Sequence, residues 1–205
     1  GKSGERIAQA VAYGSDPAQK VDVYAPRGRT AGHPLPVILW FHGGGWSSGS
    51  RPDYGFAGRA FSGEGFVTVV AGYRLAPAHH FPDFMADARG ALRWTRANVA
   101  RYGGDPDRIV IAGQSAGAHM GALLVLDRAW SGDLAVAGGP VRGFIGLSGP
   151  YDFLPFERGG SADVAMGDVR PLDRTQPIAY ARGDAPPMLL IHGDADTTVR
   201  LRNSQ

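Results

Sequence analysis

Apolar residues fall along this chain in two kinds of pattern. Short runs rich in β-branched residues occur at 37–41 (VILWF), 66–71 (FVTVVA), 108–112 (RIVIA), 144–147 (FIGL) and 188–191 (MLLI). A continuous apolar run bounded by turn residues marks a strand buried on both faces, so these five predict the centre of a sheet. The segment 20–24 (KVDVY) alternates polar and apolar residues instead, which predicts a half-exposed outer strand closed by Pro26 and Gly28. Over 83–102, Phe84, Ala88, Ala91, Leu92, Thr95 and Val99 recur three and four residues apart, the spacing of an amphipathic helix stopped by Gly103 and Gly104. A second helix is predicted over 115–128, with Ala116, Gly117 and Gly121 on its early turns, where small residues let a helix lie close to a sheet. Strands alternating with helices predict an α/β fold, a mostly parallel central sheet with helices on both faces. From 153 to 187 the pattern weakens into Gly, Asp, Arg and Pro, and reads either as an insertion covering a site or as an ordinary surface loop with a short helix.

Two motifs sit where those elements meet. Gly113-Gln114-Ser115-Ala116-Gly117 is a G-x-S-x-G between the run 108–112 and the helix that follows. A serine on so tight a strand-to-helix turn has its hydroxyl lifted above the sheet at a helix N-terminus, where backbone N–H groups favour developing negative charge. Ser115 is therefore the candidate nucleophile; without that context it would read as a helix N-cap. His42-Gly43-Gly44-Gly45-Trp46 follows the run 37–41, and its bare glycine amides can point at an oxyanion together with the amide of Ala116. A dinucleotide loop is the rival, and it fails because the G-x-G-x-x-G spacing is not kept and Trp46 would crowd a pyrophosphate.

Composition narrows the possibilities. At 205 residues the chain has the length of one domain, 1–205, with 153–187 inside it. A net charge of +2, with no block of like charges, argues against nucleic acid as a partner. No apolar run approaches the ~18 residues of a membrane helix, and no secretory signal is expected at the start. The absence of cysteine removes thiolate nucleophiles and disulfides. Nothing in the motifs calls for a metal or cofactor, and nothing in the composition speaks to compartment or oligomeric state.

The chain resembles an α/β-hydrolase carboxylesterase, close to the hormone-sensitive-lipase-like esterases and to the bacterial feruloyl-esterase-like and kynurenine-formamidase-like group. Besides HGGGW and GQSAG the resemblance rests on Val21-Asp22-Val23-Tyr24, Tyr73-Arg74-Leu75-Ala76-Pro77, Phe81-Pro82, Gly103-Gly104-Asp105-Pro106 and Ser148-Gly149-Pro150-Tyr151-Asp152. It implies oxyanion donors at Gly44, Gly45 and Ala116, with His42 structural. It implies the triad acid in His192-Gly193-Asp194-Ala195-Asp196, at Asp196, with Asp194 as the neighbouring competitor and Asp152 a weaker one. The expected activity is hydrolysis of a small-molecule carboxylic ester through an acyl-enzyme on Ser115. Arylformamidase chemistry and an inactive hydrolase-like protein are the alternatives. The expected histidine is missing: none of the six follows Asp196, and His33, His42, His79, His80, His119 and His192 each have a structural explanation. Either a histidine lies beyond Gln205, together with a last strand and helix, or the base has been lost.

Overall fold

The structure, a computed structural model, describes residues 4–28 and 32–205. Seven strands form one sheet: β1 (Gly4–Ala12), β2 (Lys20–Pro26), β3 (Leu35–Phe41), β4 (Val67–Ala71), β5 (Gly104–Gln114), β6 (Val141–Leu147) and β7 (Met188–Ile191). Their spatial order is β1-β2-β4-β3-β5-β6-β7. The β1–β2 and β2–β4 pairings are antiparallel, and all pairings from β4 through β7 are parallel. The helices are α1 (Gly55–Gly63), α2 (Asp83–Asn98), α3 (Ala116–Leu126), α4 (Arg128–Ser131) and α5 (Ser161–Met166). This is the mostly parallel α/β-hydrolase sheet that the resemblance implied.

The unbroken apolar runs have a simple cause. In β3, Val37, Leu39 and Phe41 pack in the same core as α2 and α3, while Ile38 and Trp40 face the other way, toward Tyr24, Val70 and Ala57 of α1. With both faces apolar, no polar position can recur. Every residue of α3 is buried, which suits a helix apolar all round. Its small residues bring it onto the sheet: a Cβ on Gly121 would lie 2.8 Å from the Phe144 ring. Residues 99–102, predicted as helix, form a separate tight turn after α2, closed by Gly103 at φ 84°.

Three expectations need correction. Segment 20–24 is not a half-exposed outer strand: Val21 to Ala25 are buried, and β1, which the pattern did not predict, forms the edge outside it. The misleading position is Asp22. Its side chain is fully buried yet ion-paired with Arg51 at 2.8 Å and Arg6 at 3.8 Å, and it accepts the Ala10 N–H at 2.7 Å. A paired charge inside the sheet looks, in sequence, like a solvent-facing residue. β1 itself carries Glu5, Arg6 and Gln9 and lies half-exposed, so it shows no clean period. At the other end β7, expected at the centre with a further strand beside it, is the last strand of the described sheet, with Met188, Leu189 and Ile191 37%, 54% and 49% exposed.

Residues 153–187 hold α5 and two tight turns, Leu172–Thr175 and Pro177–Tyr180. Their hydrogen bonds run to the elements below: Phe81 N–H donates to the Ala165 carbonyl (2.9 Å), and the Arg182 guanidinium donates to Val125 (2.9 Å) and Leu126 (3.0 Å) at the end of α3. Among the described residues no helix is long and apolar enough to cross a membrane.

Candidate active site

β5 passes into α3 through Ser115, whose backbone sits at φ 54° and ψ −119°. For a residue with a side chain, that conformation costs on the order of 1–3 kcal/mol and persists only where the surroundings impose it. Here they do. The Ser115 N–H donates to the Leu147 carbonyl of β6 at 2.8 Å, and the Ser115 carbonyl accepts the His119 N–H at 3.0 Å. Gly117 lies so close beneath that a Cβ would run into the Phe41 and His42 carbonyl oxygens. Ala116 is the first residue of α3, so its N–H has no intrahelical acceptor and points out at the positive end of the helix, and among the described residues it donates to no loop or side-chain acceptor.

The second loop leaves β3 one strand away. Gly44, Gly45 and Trp46 adopt φ values of 125°, 59° and 58° in succession. A Cβ on Gly44 would collide with the Ser48 carbonyl, so only glycine fits this turn. The Gly44 carbonyl accepts the Ser47 and Ser48 amides (3.1 and 2.9 Å) and the Ser48 hydroxyl (2.8 Å), whereas among the described residues the Gly44 and Gly45 N–H groups donate to no protein acceptor. His42 is a strut. Its ring stacks on Tyr73 at 4.2 Å, its Nδ1–H donates to the Gly43 carbonyl at 2.7 Å, and burial holds its pKa below the usual histidine range. The Tyr54 hydroxyl donates to Gln114 Oε1 at 2.8 Å, tying the segment after this loop to the residue before Ser115.

Asp196 lies past β7, two strands from Ser115 on the same edge of the sheet. Its Oδ1 accepts the Thr198 and Val199 amides, each at 2.9 Å. These bonds, that of Val199 first, with the Ser148 side chain contributing, hold its pKa below the usual aspartate value. Ser148 follows β6 at φ 47°, and its N–H donates to the Ile191 carbonyl at 2.8 Å, which ties the end of β6 to β7 just before the Asp196 turn. Asp194 is exposed and accepts no hydrogen bond among the described residues. Asp152 is exposed too, and its N–H donates to Asn203 at 2.8 Å.

No histidine nitrogen hydrogen-bonds the Ser115 hydroxyl. His192 stands 3.4 Å from Asp196 Oδ2, but its Nε2–H donates to the Val199 carbonyl (2.6 Å) and its Nδ1 accepts the Ser204 hydroxyl (2.8 Å), so it braces the acid loop. His119, one helical turn after Ser115, is fully buried, with Nε2–H donating to the Thr175 carbonyl (2.7 Å) and Nδ1 accepting the Trp46 indole N–H (3.1 Å). Both nitrogens are engaged, and burial lowers its pKa to about 4. His79 pairs with Asp83 at 3.1 Å, His80 donates to the Val164 carbonyl at 2.8 Å, and His33 is exposed before β3. Phe153 and Thr175 are neighbours of the site that no spacing announces, whereas Trp46 closes the glycine motif already read in the sequence. Among the described residues, no three His, Asp or Glu side chains gather to hold a metal.

A family model described as BD-FAE matches residues 21–205. Esterase LipC of Mycobacterium tuberculosis is 34% identical over 213 residues, covering 95% of this chain and 52% of LipC. This chain spans about half or less of the length of the curated relatives it matches. Among solved structures, Thermogutta terrifontis esterase 2 phosphonylated by sarin aligns with a TM-score of 0.77 at 27% identity, over 96% of this chain and 76% of that one. A truncated carbohydrate esterase from gut microbiota shares the fold, with a TM-score of 0.81 at 22% identity over 98% and 80%. With the sheet order and both loops described, the match over 21–205 means that this chain belongs to the BD-FAE family, among the α/β-hydrolase carboxylesterases of the hormone-sensitive-lipase-like group.

Proposed function

We propose that the protein is a serine hydrolase of small carboxylic esters, to which this chain contributes the nucleophile Ser115, the oxyanion donors Gly44, Gly45 and Ala116, and the acid Asp196. The observation that carries the reading is the strained Ser115 backbone beside three amide N–H groups that have no acceptor of their own among the described residues. In this reaction Ser115 Oγ attacks the ester carbonyl, the three amides hold the oxygen as its charge develops, and the alcohol leaves to give an acyl-enzyme that water hydrolyses. Asp196 fixes the tautomer of a histidine base and stabilises its imidazolium. That base is a further histidine, since the six here are engaged elsewhere or remote. Residues 153–187 cover the site in this reading, because Phe153 stacks on Trp46 at the end of the glycine loop. A solved relative at 27% identity that is phosphonylated by sarin supports a nucleophile of the same kind.

The test is phosphonylation of the intact protein by a p-nitrophenyl phosphonate, followed by turnover of p-nitrophenyl butyrate. Labelling at Ser115 with ester turnover is the expected result, and Gly44→Ala, which keeps the amide but drives a Cβ into the Ser48 carbonyl and so displaces the loop, should slow both by about 10²–10³, as much as the loss of one oxyanion donor. Absence of both labelling and turnover would sink the hydrolase reading and leave a hydrolase-like binding protein.

A further inference from the structure

Attack at an ester carbonyl depends on how far the nucleophile stands from the amides that receive the charge, and a displacement of about 1 Å can cost roughly a hundredfold in rate. Ser115 and the glycine loop come from different strands, so something must set that distance. We propose that His119 is a positioning residue, which holds the glycine loop against the nucleophile helix by accepting the Trp46 indole N–H at Nδ1 while donating Nε2–H to the Thr175 carbonyl. This inference rests on the assignment of Ser115 and the Gly44 and Gly45 amides made above.

The contacts converge on one ring. His119 belongs to α3, and its own N–H donates to the Ser115 carbonyl at 3.0 Å. Its ring meets Trp46 edge-on at 5.1 Å and 88°, and Phe153 edge-on at 5.4 Å and 90°, while Trp46 and Phe153 stack on each other at 6.0 Å. Three segments therefore meet here: the helix carrying the nucleophile, the end of the glycine loop, and the residues above the site. The Thr175 carbonyl can only accept, so Nε2 carries the proton and Nδ1 presents its lone pair to the indole. The ring is fully buried, which disfavours its charged form, so it stays neutral.

A rigid ring with an acceptor on one side and a donor on the other is what the gap requires. Phenylalanine would fill the volume but leave the Trp46 N–H and the Thr175 carbonyl without partners. An orphaned indole N–H in an apolar site is relieved by moving toward water. Trp46 is the residue after Gly45, so such a movement carries the Gly44 and Gly45 amides with it.

The substitutions separate the two bonds. Asparagine can place an acceptor where Nδ1 stands, glutamine a donor near Nε2, and phenylalanine neither. Phosphonylation of the intact protein by a p-nitrophenyl phosphonate is followed by p-nitrophenolate release. We expect His119→Phe and Trp46→Phe each to slow the covalent step by about 10–100-fold with inhibitor affinity within about twofold, and His119→Gln to be similarly slow. His119→Asn should recover most of the lost rate, and the double variant His119→Phe/Trp46→Phe should be no slower than either single one. Folded His119→Phe labelling at the wild-type rate, losses that multiply in the double variant, or His119→Gln matching His119→Asn would each overturn the proposal. Nitrogen-15 shifts of the imidazole give a readout independent of reactivity: a protonated Nδ1 would overturn it as well. Should His119→Phe fail to fold, Trp46→Phe and the tautomer decide. A wild-type protein that takes no label contradicts the hydrolase reading, while the tautomer still tests the clamp.

Discussion

The β3–β5 centre of the sheet and the β6–β7 side hold the two halves of the candidate site by different means. At the centre Val37, Leu39, Phe41, Ile109 and Ile111 are fully buried, and the backbone at Ser115 and Gly44 is forced into unusual conformations by contacts on every side. On the β7 side Leu189 and Ile191 are about half exposed, and Asp196 is oriented by two amides of its own turn. Strain can be stored only where packing over-determines the backbone, so the proposed nucleophile and oxyanion donors sit over the core. A carboxylate needs only local donors to fix it, and the proposed acid, Asp196, has them in the amides of its own turn.

Five substitutions or conditions test this contrast. The largest effect is expected from Ser115→Ala in the intact protein: ester turnover falls by roughly 10⁵ or more with the melting temperature retained, because the hydroxyl reacts while the fold imposes the turn. More than a few per cent of residual turnover would exclude Ser115 as nucleophile. Asp196→Asn comes next, with a loss on the order of 10³–10⁴ in kcat and almost no change in thermal unfolding, since asparagine still accepts the two amides. A large drop in melting temperature would mean that the edge is held together by this carboxylate.

Leu39→Ala reverses that pattern. In the 205-residue chain, urea unfolding should report a loss of about 2–5 kcal/mol, the usual cost of a cavity in a packed core. Acid should act on the centre too. His119 is held neutral by burial, with its pKa lowered to about 4, while the unfolded chain takes up the proton near 6.5. Stability attributable to this residue is therefore complete above pH 6.5 and lost as pH falls toward 4, by about 2–3 kcal/mol between pH 7 and pH 4.5. His119→Asn should flatten that part of the urea-midpoint profile, leaving the slope due to His42, whose pKa burial also lowers. The smallest effect belongs to Leu189→Ser, within about 0.5 kcal/mol in the 205-residue chain; a cost like that of Leu39→Ala would erase the distinction between edge and centre.

The sequence by itself determined the local part of this protein. The runs at 37–41, 66–71, 108–112 and 144–147 became central strands because two apolar faces leave an unbroken hydrophobic record, and GQSAG and HGGGW fell on the turns after two of them. Glycines that must admit a carbonyl at close range are written directly in the chain. Tertiary structure decided what faces what. Asp22 reads as a solvent-facing residue until Arg51 is seen against it, and β1 is defined by the partner it adds to. His119 carried no sign that its two nitrogens would meet Trp46, 73 residues before it, and Thr175, 56 residues after. Periodicity records how much of a residue is buried, because burial is set by the face it occupies; the identity of its neighbour depends on long-range packing, which no local pattern encodes.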